Sequence, residues 1–221
     1  MAMLKAALFD LDGTLIDSLA DIAGAINEML DGRGWPRCEV ELFREMVGDG
    51  MDRLVERALP PHARTPELIQ TCVEEYRANY DKRWQRETRP YEGITELLAA
   101  LKARDIRLGV ISNKAHRFTV PMTEHFFGAD CFDIILGQRA EVPRKPDPAA
   151  GLEVVQALRL DPKDCAYVGD SGIDMEFARH AGMTGIGVTW GFRSERELRE
   201  NGAHILVARP LEILKCLESA G

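Results

Sequence analysis

The sequence has no CxxC pair, and its five cysteines, Cys38, Cys72, Cys131, Cys165 and Cys216, are odd in number and scattered. That spacing indicates neither a disulfide framework nor a zinc site, and it fits a reducing cytoplasm. Positive charge is also scarce. Lysine and arginine total 28 against 36 acidic residues, for a net charge of −8, and the pI is near 5.2. Nucleic-acid and membrane-surface partners, which want a basic face, are therefore not expected. There is no long hydrophobic run. The opening MAMLKAALFD holds one lysine and a short apolar stretch that ends in acid, so neither a signal peptide nor a membrane span is expected. Internal repeats, low-complexity tracts and long linkers are missing as well. His116, His125, His180 and His204 have no metal-like spacing.

What remains is a chain of 221 residues with 45% hydrophobic and 29% charged residues, enough for one sizeable core and a smaller domain. Residues 5–9 read as a buried strand. The positions Leu19, Ile22, Ala23, Ile26, Met29 and Leu30 recur at helical spacing, with Ser18 as N-cap and Gly32 just past the end. Amphipathic patterns over 39–47, 51–59 and 66–84 follow without strand-like alternation, broken by Gly48, Gly50 and Pro60-Pro61. After Pro90 the pattern changes to alternation. Helices near 93–104, 116–127, 148–159, 173–181 and 194–200 separate the apolar runs RLGVIS (107–112), FDIILG (132–137), CAYVGD (165–170), TGIGVT (184–189) and HILV (204–207), and a last helix starts near 210.

Such alternation implies right-handed crossovers and a parallel sheet. The expected fold is α/β, a doubly wound Rossmann-like core of residues 1–15 and 89–221, with an all-helical insertion over 16–88. An insertion after the first strand would sit as a lid over the carboxyl ends of the strands, where open α/β sheets bind ligands.

Four strand ends turn polar in the same way. The first ends in Asp10-Leu11-Asp12-Gly13-Thr14, RLGVIS runs into Ser112-Asn113-Lys114, the loop after FDIILG carries Lys145-Pro146-Asp147-Pro148, and CAYVGD leads into Gly169-Asp170-Ser171-Gly172-Ile173-Asp174. Alternation places Asp10 and Asp12 on one side of the chain. Two neighbouring carboxylates need a cation, a shared proton or donors to compensate them, so a metal site is one reading and an ordinary polar turn the other. Each remaining segment also has a plain role. Ser112 and Asn113 suit a helix cap, Lys145 a solvated loop, and Asp170 and Asp174 an N-cap and a first-turn acid. Together they supply what phosphoryl transfer needs: a carboxylate nucleophile, oxygen ligands for magnesium, a lysine, hydroxyl and amide donors, and a proton shuttle.

DLDGT, SN, KPDP and GDSGID, in this order over residues 10–174, resemble the four motifs of the haloacid dehalogenase superfamily. The helical insertion resembles that superfamily's first type of cap. VGDGMDRLVERAL (47–59) and GVTWGFRSERELRENGAHILV (187–207) most resemble the phosphoglycolate phosphatases within it. The resemblance implies Asp10 as nucleophile and magnesium ligand, and Asp12 as general acid/base that lends the metal its backbone carbonyl. It makes Asp170 a metal ligand, with Asp174 orienting a metal-bound water, and it assigns phosphoryl contacts to Ser112, Asn113 and Lys145. Thr14 matches the superfamily's phosphatases better than its mutases, the lack of histidine before His62 speaks against a mutase, and Asp12 speaks against a dehalogenase.

Gly48-Asp49-Gly50 and Arg53 either reach the substrate or separate and solvate two helices, while Trp190 and Phe192 read as packing residues. The expectation is a cytoplasmic, Mg2+-dependent hydrolase of small phosphorylated metabolites, monomeric or homodimeric, with 2-phosphoglycolate foremost. Pyrophosphate, sugar phosphates and nucleotides are the alternatives, followed by a mutase and a non-catalytic metabolite-binding regulator.

Overall fold

AALF at residues 6–9 is apolar throughout and fully buried, as a strand covered on both faces must be. In the computed structural model, which describes residues 4–219, these residues form β1 (Ala6–Phe9). Ile16–Asp17 (β2) and Arg89–Pro90 (β3) pair as a separate two-stranded sheet. Neither was expected, because two residues carry no readable periodicity. The other strands are β4 (Arg107–Ala115), β5 (Ile134–Gln138), β6 (Cys165–Gly169), β7 (Thr184–Val188) and β8 (Ile205–Val207). With β1 they form one sheet of order β5-β4-β1-β6-β7-β8, and every pairing in it is parallel.

The chain clusters into two compact units, one running through Ile16 and from Pro90 onward, the other spanning Asp17–Arg89. The second holds α1 (Leu19–Gly32), α2 (Phe43–Met46), α3 (Met51–Ala58) and α4 (Pro66–Asp81). In the first, α5 (Ile94–Lys102), α6 (His116–Phe127), α7 (Ala149–Leu158), α8 (Gly172–Ala181) and α9 (Glu195–Glu200) alternate with the strands, and α10 (Ile213–Ser219) closes the described chain. Strand order runs one way from β1 through β4 to β5 and the other way through β6 to β8. Right-handed crossovers then put α6 on one face of the sheet and α8 and α9 on the other. The fold class is the doubly wound α/β architecture expected from the alternation.

One core cluster joins Leu8 of β1, Ile111 of β4 and Tyr167 of β6 to Val154 and Val155 of α7 and Phe177 and Ala178 of α8. Phe9 stands level with Val110 on one neighbouring strand and Val168 on the other. The carboxyl ends of β1, β4 and β6 therefore emerge side by side, at the point where strand order reverses. That crevice is where doubly wound sheets bind ligands.

Within the helical unit, α1 packs on α4 along Ile22, Ala23, Ile26, Met29 and Leu30, all buried. Arg33 forks onto Glu75 with bonds of 2.8 and 2.7 Å, and Asn27 exchanges two 2.9 Å bonds with the main chain of Cys38. Local differences from the sequence reading concern helix ends. The Ser18 side chain makes no cap bond, Asp17 Oδ1 accepts from Leu19 N, and α1 runs on through Gly32. The segment 39–47 divides into a 3-10 turn, Val40–Leu42, and α2. Among the described residues no helix is long and apolar enough to cross a membrane.

Candidate active site

Beyond Phe9 the chain keeps its ladder for one more residue, Asp10 N donating to Val168 O at 2.9 Å, and then turns. Leu11 O accepts from Thr14, Leu15 and Ile16 N while Gly13 N donates to Ile16 O. Gly13 sits at φ +86, and a Cβ there would lie 2.3 Å from Asp170 Oδ2. Only glycine satisfies both conditions. The turn brings Thr14 Oγ1 to Asp170 Oδ1 at 3.2 Å, and Trp190 Nε1 binds Thr14 O at 3.0 Å. Trp190, read as a packing residue, thus also holds this loop.

Asp170, only 3% exposed, takes its second hydrogen bond from Phe192 N at 2.7 Å. Asp174 lies at the start of α8 in a capping box with Ser171, its Oδ2 accepting from Ser171 N and Oγ. Gly169 makes room for it, since a Cβ at that position would meet Asp174 Cβ at 2.3 Å. The other Asp174 oxygen accepts from Lys145 Nζ at 2.7 Å. Asp174 therefore fills the helix-start role read from the sequence and adds an ion pair in the cluster.

Lys145 is the centre of charge balance. Its side chain is 3% exposed, and Nζ lies 2.9 Å from Asp10 Oδ1 and 2.7 Å from Tyr167 OH. The solvated-loop alternative for Lys145 is excluded by this burial. Asn113, expected as a phosphoryl donor, also clasps the main chain of Lys145, Nδ2 donating to Lys145 O at 3.1 Å and Oδ1 accepting from Lys145 N at 2.8 Å. The cause is a break in the sheet. Between Ile111 and Ala115 the register with β5 shifts, four residues of β4 spanning what two of β5 span, so Ser112, Asn113 and Lys114 leave the ladder. Ser112 is buried and accepts from Lys114 N at 3.3 Å.

Lys114 was missed as a site residue. Its Nζ donates to both oxygens of Asp12, at 3.1 and 2.8 Å, and both side chains are nearly buried. Nothing local to Ser112-Asn113-Lys114 marks this lysine, because its partner lies 102 positions away. Arg53 belongs to α3 in the helical unit, exposed and paired with Glu56 at 2.6 Å. Gly48 and Gly50, at φ +122 and +88, lie between α2 and α3.

Oxygens of Asp10, Asp170 and Asp174 lie within 4.8 Å of one another, the one such acidic group among the described residues. Asp12's carboxylate is not part of it. Burial pushes the Asp10 carboxyl up to about 6, with Lys145 pulling it down and Asp174 pushing it further up. Burial likewise pushes Asp170 well above the carboxylate range, and the Asp174 and Asp10 charges add to it. Burial opposes the charge of Lys145, but Asp10 and Asp174 outweigh it and hold the ammonium well above the usual lysine range. One ammonium does not balance three carboxylates, and both donors to Asp170 are neutral. A hard divalent cation with a preference for carboxylate oxygen fits this donor set.

The profile described as Haloacid dehalogenase-like hydrolase matches residues 7–188. A phosphoglycolate phosphatase of Nitrosospira multiformis is 32% identical over 98% of this chain and 97% of its own. An N-acetylmuramic acid 6-phosphate phosphatase of Pseudomonas aeruginosa is 31% identical over 98% of this chain and 96% of its own. A solved structure from Lactobacillus delbrueckii subsp. bulgaricus, provisionally named a phosphoglycolate phosphatase, superposes with a TM-score of 0.91 at 30% identity, covering 97% of this chain and 98% of that one.

Proposed function

The chain belongs to the haloacid dehalogenase-like hydrolases and is a phosphoric monoester hydrolase; we propose that it uses magnesium and an aspartyl-phosphate intermediate to hydrolyse 2-phosphoglycolate. The observation that carries this reading is the buried carboxylate trio around Lys145 at the strand-order switch point.

In the proposed mechanism, an Asp10 carboxylate oxygen attacks phosphorus and the bond from phosphorus to the ester oxygen breaks, leaving an acyl phosphate on Asp10. Asp12 gives its proton to the departing oxygen. It then takes a proton from the water that attacks the acyl phosphate, and inorganic phosphate leaves with the Asp10 carboxylate restored. Lys114, bonded to both Asp12 oxygens, keeps that carboxyl oriented for both transfers. Lys145 meets the negative charge of the phosphoryl group, Ser112 and Asn113 contribute donors, and Asn113 also holds the Lys145 main chain. Asp174 holds the Lys145 ammonium and the first turn of α8. Magnesium, held by Asp10, Asp170 and the Asp12 carbonyl, would offset the charge of carboxylates and phosphoryl group together.

The helical unit Asp17–Arg89 is the proposed cap, with the Gly48–Gly50 loop and Arg53 selecting the substrate's non-phosphate end. A sugar 6-phosphate is the second reading, favoured by the N-acetylmuramic acid 6-phosphate phosphatase at 31% identity over nearly the whole chain. Phosphate release from 2-phosphoglycolate, N-acetylmuramic acid 6-phosphate, pyrophosphate and nucleotides decides between them. Turnover should vanish with EDTA, return with magnesium and be highest in kcat/KM for 2-phosphoglycolate. A higher kcat/KM for the sugar phosphate would replace the substrate, and turnover undiminished in EDTA would remove the metal.

Gly13→Ala tests the cradle beneath Asp170. The new methyl would strike the carboxylate, and a left-handed backbone adds about 1–2 kcal/mol of strain. The magnesium concentration for half-maximal activity should rise about 10–100-fold. An unchanged magnesium requirement would detach Asp170 from the metal.

A further inference from the structure

We infer that Tyr167 is a positioning residue for Lys145, its hydroxyl fixing the lysine ammonium against Asp10. The inference deepens the phosphatase reading and rests on it for its kinetic consequence.

Tyr167 lies in the apolar run of β6, level with Leu8 of β1, which is itself level with Gly109 of β4. Its ring reaches past β1, because its hydroxyl donates to Ile111 O on β4 at 2.6 Å. The residue is fully buried in the core cluster, packed edge-on to Phe177 with ring centroids 4.6 Å apart. A phenylalanine would fill the same space. A buried hydroxyl in such surroundings is unfavourable unless bonded, and this one has two partners of different kinds.

Its single hydrogen goes to the Ile111 carbonyl, so what it offers Lys145 is a lone pair, 2.7 Å from Nζ. Burial pushes the phenol well above its ordinary range, which keeps that hydrogen in place. The lysine ammonium has three hydrogens and three oxygen neighbours, Tyr167 OH, Asp174 Oδ1 and Asp10 Oδ1. Without the phenol, two carboxylates alone would set the position of Nζ. The flexible four-carbon stem gives no further constraint.

The two ends of Lys145 are thus held from neighbouring points of β4. Asn113 clasps its main chain, and Ile111, the last residue before the register shift, anchors the tyrosine that meets its ammonium. Side chains that set a charge to within a fraction of an ångström act on the transition state more than on ground-state binding.

Tyr167→Phe in the full chain is the test, read by kinetics and by the Lys145 ammonium itself. With p-nitrophenyl phosphate and with 2-phosphoglycolate, kcat should fall about tenfold or more while KM changes less than twofold. In 15N-labelled wild-type protein a buried ammonium, hydrogen-bonded to Tyr167 and Asp174 and ion-paired with Asp10, should give a slowly exchanging side-chain NMR resonance, identified by its loss in Lys145→Met. In Tyr167→Phe that resonance should broaden or disappear. A retained, unshifted resonance, or none in the wild type, would overturn the inference, and so would a stability loss with kcat and KM unchanged. Should the wild type hydrolyse no phosphate ester, the phosphatase reading fails and the resonance alone decides the tie between Tyr167 and Lys145.

Discussion

Asp10→Asn lowers kcat by about 10⁴-fold or more and leaves a protein at least as stable as the wild type in EDTA at neutral pH. The first half follows from the chemistry assigned to Asp10: an amide has no charged oxygen to attack phosphorus, and no acyl phosphate forms. The second half follows from burial. The Asp10 carboxyl is 13% exposed and its folded value is pushed up to about 6, chiefly by burial and against the pull of Lys145. A folded value above the ordinary one means the native state binds the proton more tightly. Ionisation therefore subtracts stability as pH rises through the window from about 4 to 6, and a neutral amide of the same shape avoids that cost.

Activity and fold are expected to separate in this variant, and circular dichroism melts run beside the phosphate assay show it. Acid quench of the wild type during turnover should trap a hydroxylamine-sensitive phosphoprotein that Asp10→Asn never forms. Turnover retained by the variant would end the covalent mechanism, and a collapsed melt would make its kinetics uninformative about Asp10.

The elements best read from the sequence were those whose signal is local. An apolar run ending in acid marks β1 and β6, and helical periodicity over 116–127 marks α6 residue for residue. Topology puts the carboxyl ends of β1 and β6 together, and with them Asp10 and Asp170, while the place of Asp174 beside them is what the family resemblance implies. What escaped has partners far away in the chain. Lys114 meets Asp12 across 102 positions, and nothing in SNK distinguishes that lysine from a solvated one. Tyr167 reads as one more apolar residue of CAYVG, since its two polar bonds go to Ile111 and Lys145, 56 and 22 positions off. The clasp of Asn113 on the loop that carries Lys145 escaped as well, because it follows the register shift in β4. That shift depends on β5, a strand not adjacent to these residues in sequence, so no local pattern records it.

The helical unit holds the strongest structural effect. Asp21, on the first turn of α1, looks like an acid placed there for the helix dipole, yet it is 0% exposed. Its Oδ2 accepts three bonds from the returning chain, from Glu87 N and Thr88 N at 2.9 Å each and from Thr88 Oγ1 at 2.8 Å. Its Oδ1 faces Arg83 Nε at 3.4 Å. One carboxylate thus ties the start of the unit to its end, 66 and 67 positions later. Asp21→Ala would leave two amides and a hydroxyl without their acceptor in a buried place and take one carboxylate from Arg83, which keeps Glu28 and Glu87. Breaking such a buried charged network costs about 3–5 kcal/mol, against a total of about 5–15 kcal/mol for a typical domain. The helical unit should then open while the sheet stays folded. Hydrogen exchange read by mass spectrometry should show protection lost in α1 and α4 and kept in β1, β4 and β6. Asp21→Asn should fall between the two proteins: its carbonyl can still accept from the returning chain, but its amide then turns a donor toward Arg83. Uniform loss of protection in both units would mean that they unfold as one, and protection equal to the wild type would show that Asp21 carries no such tie.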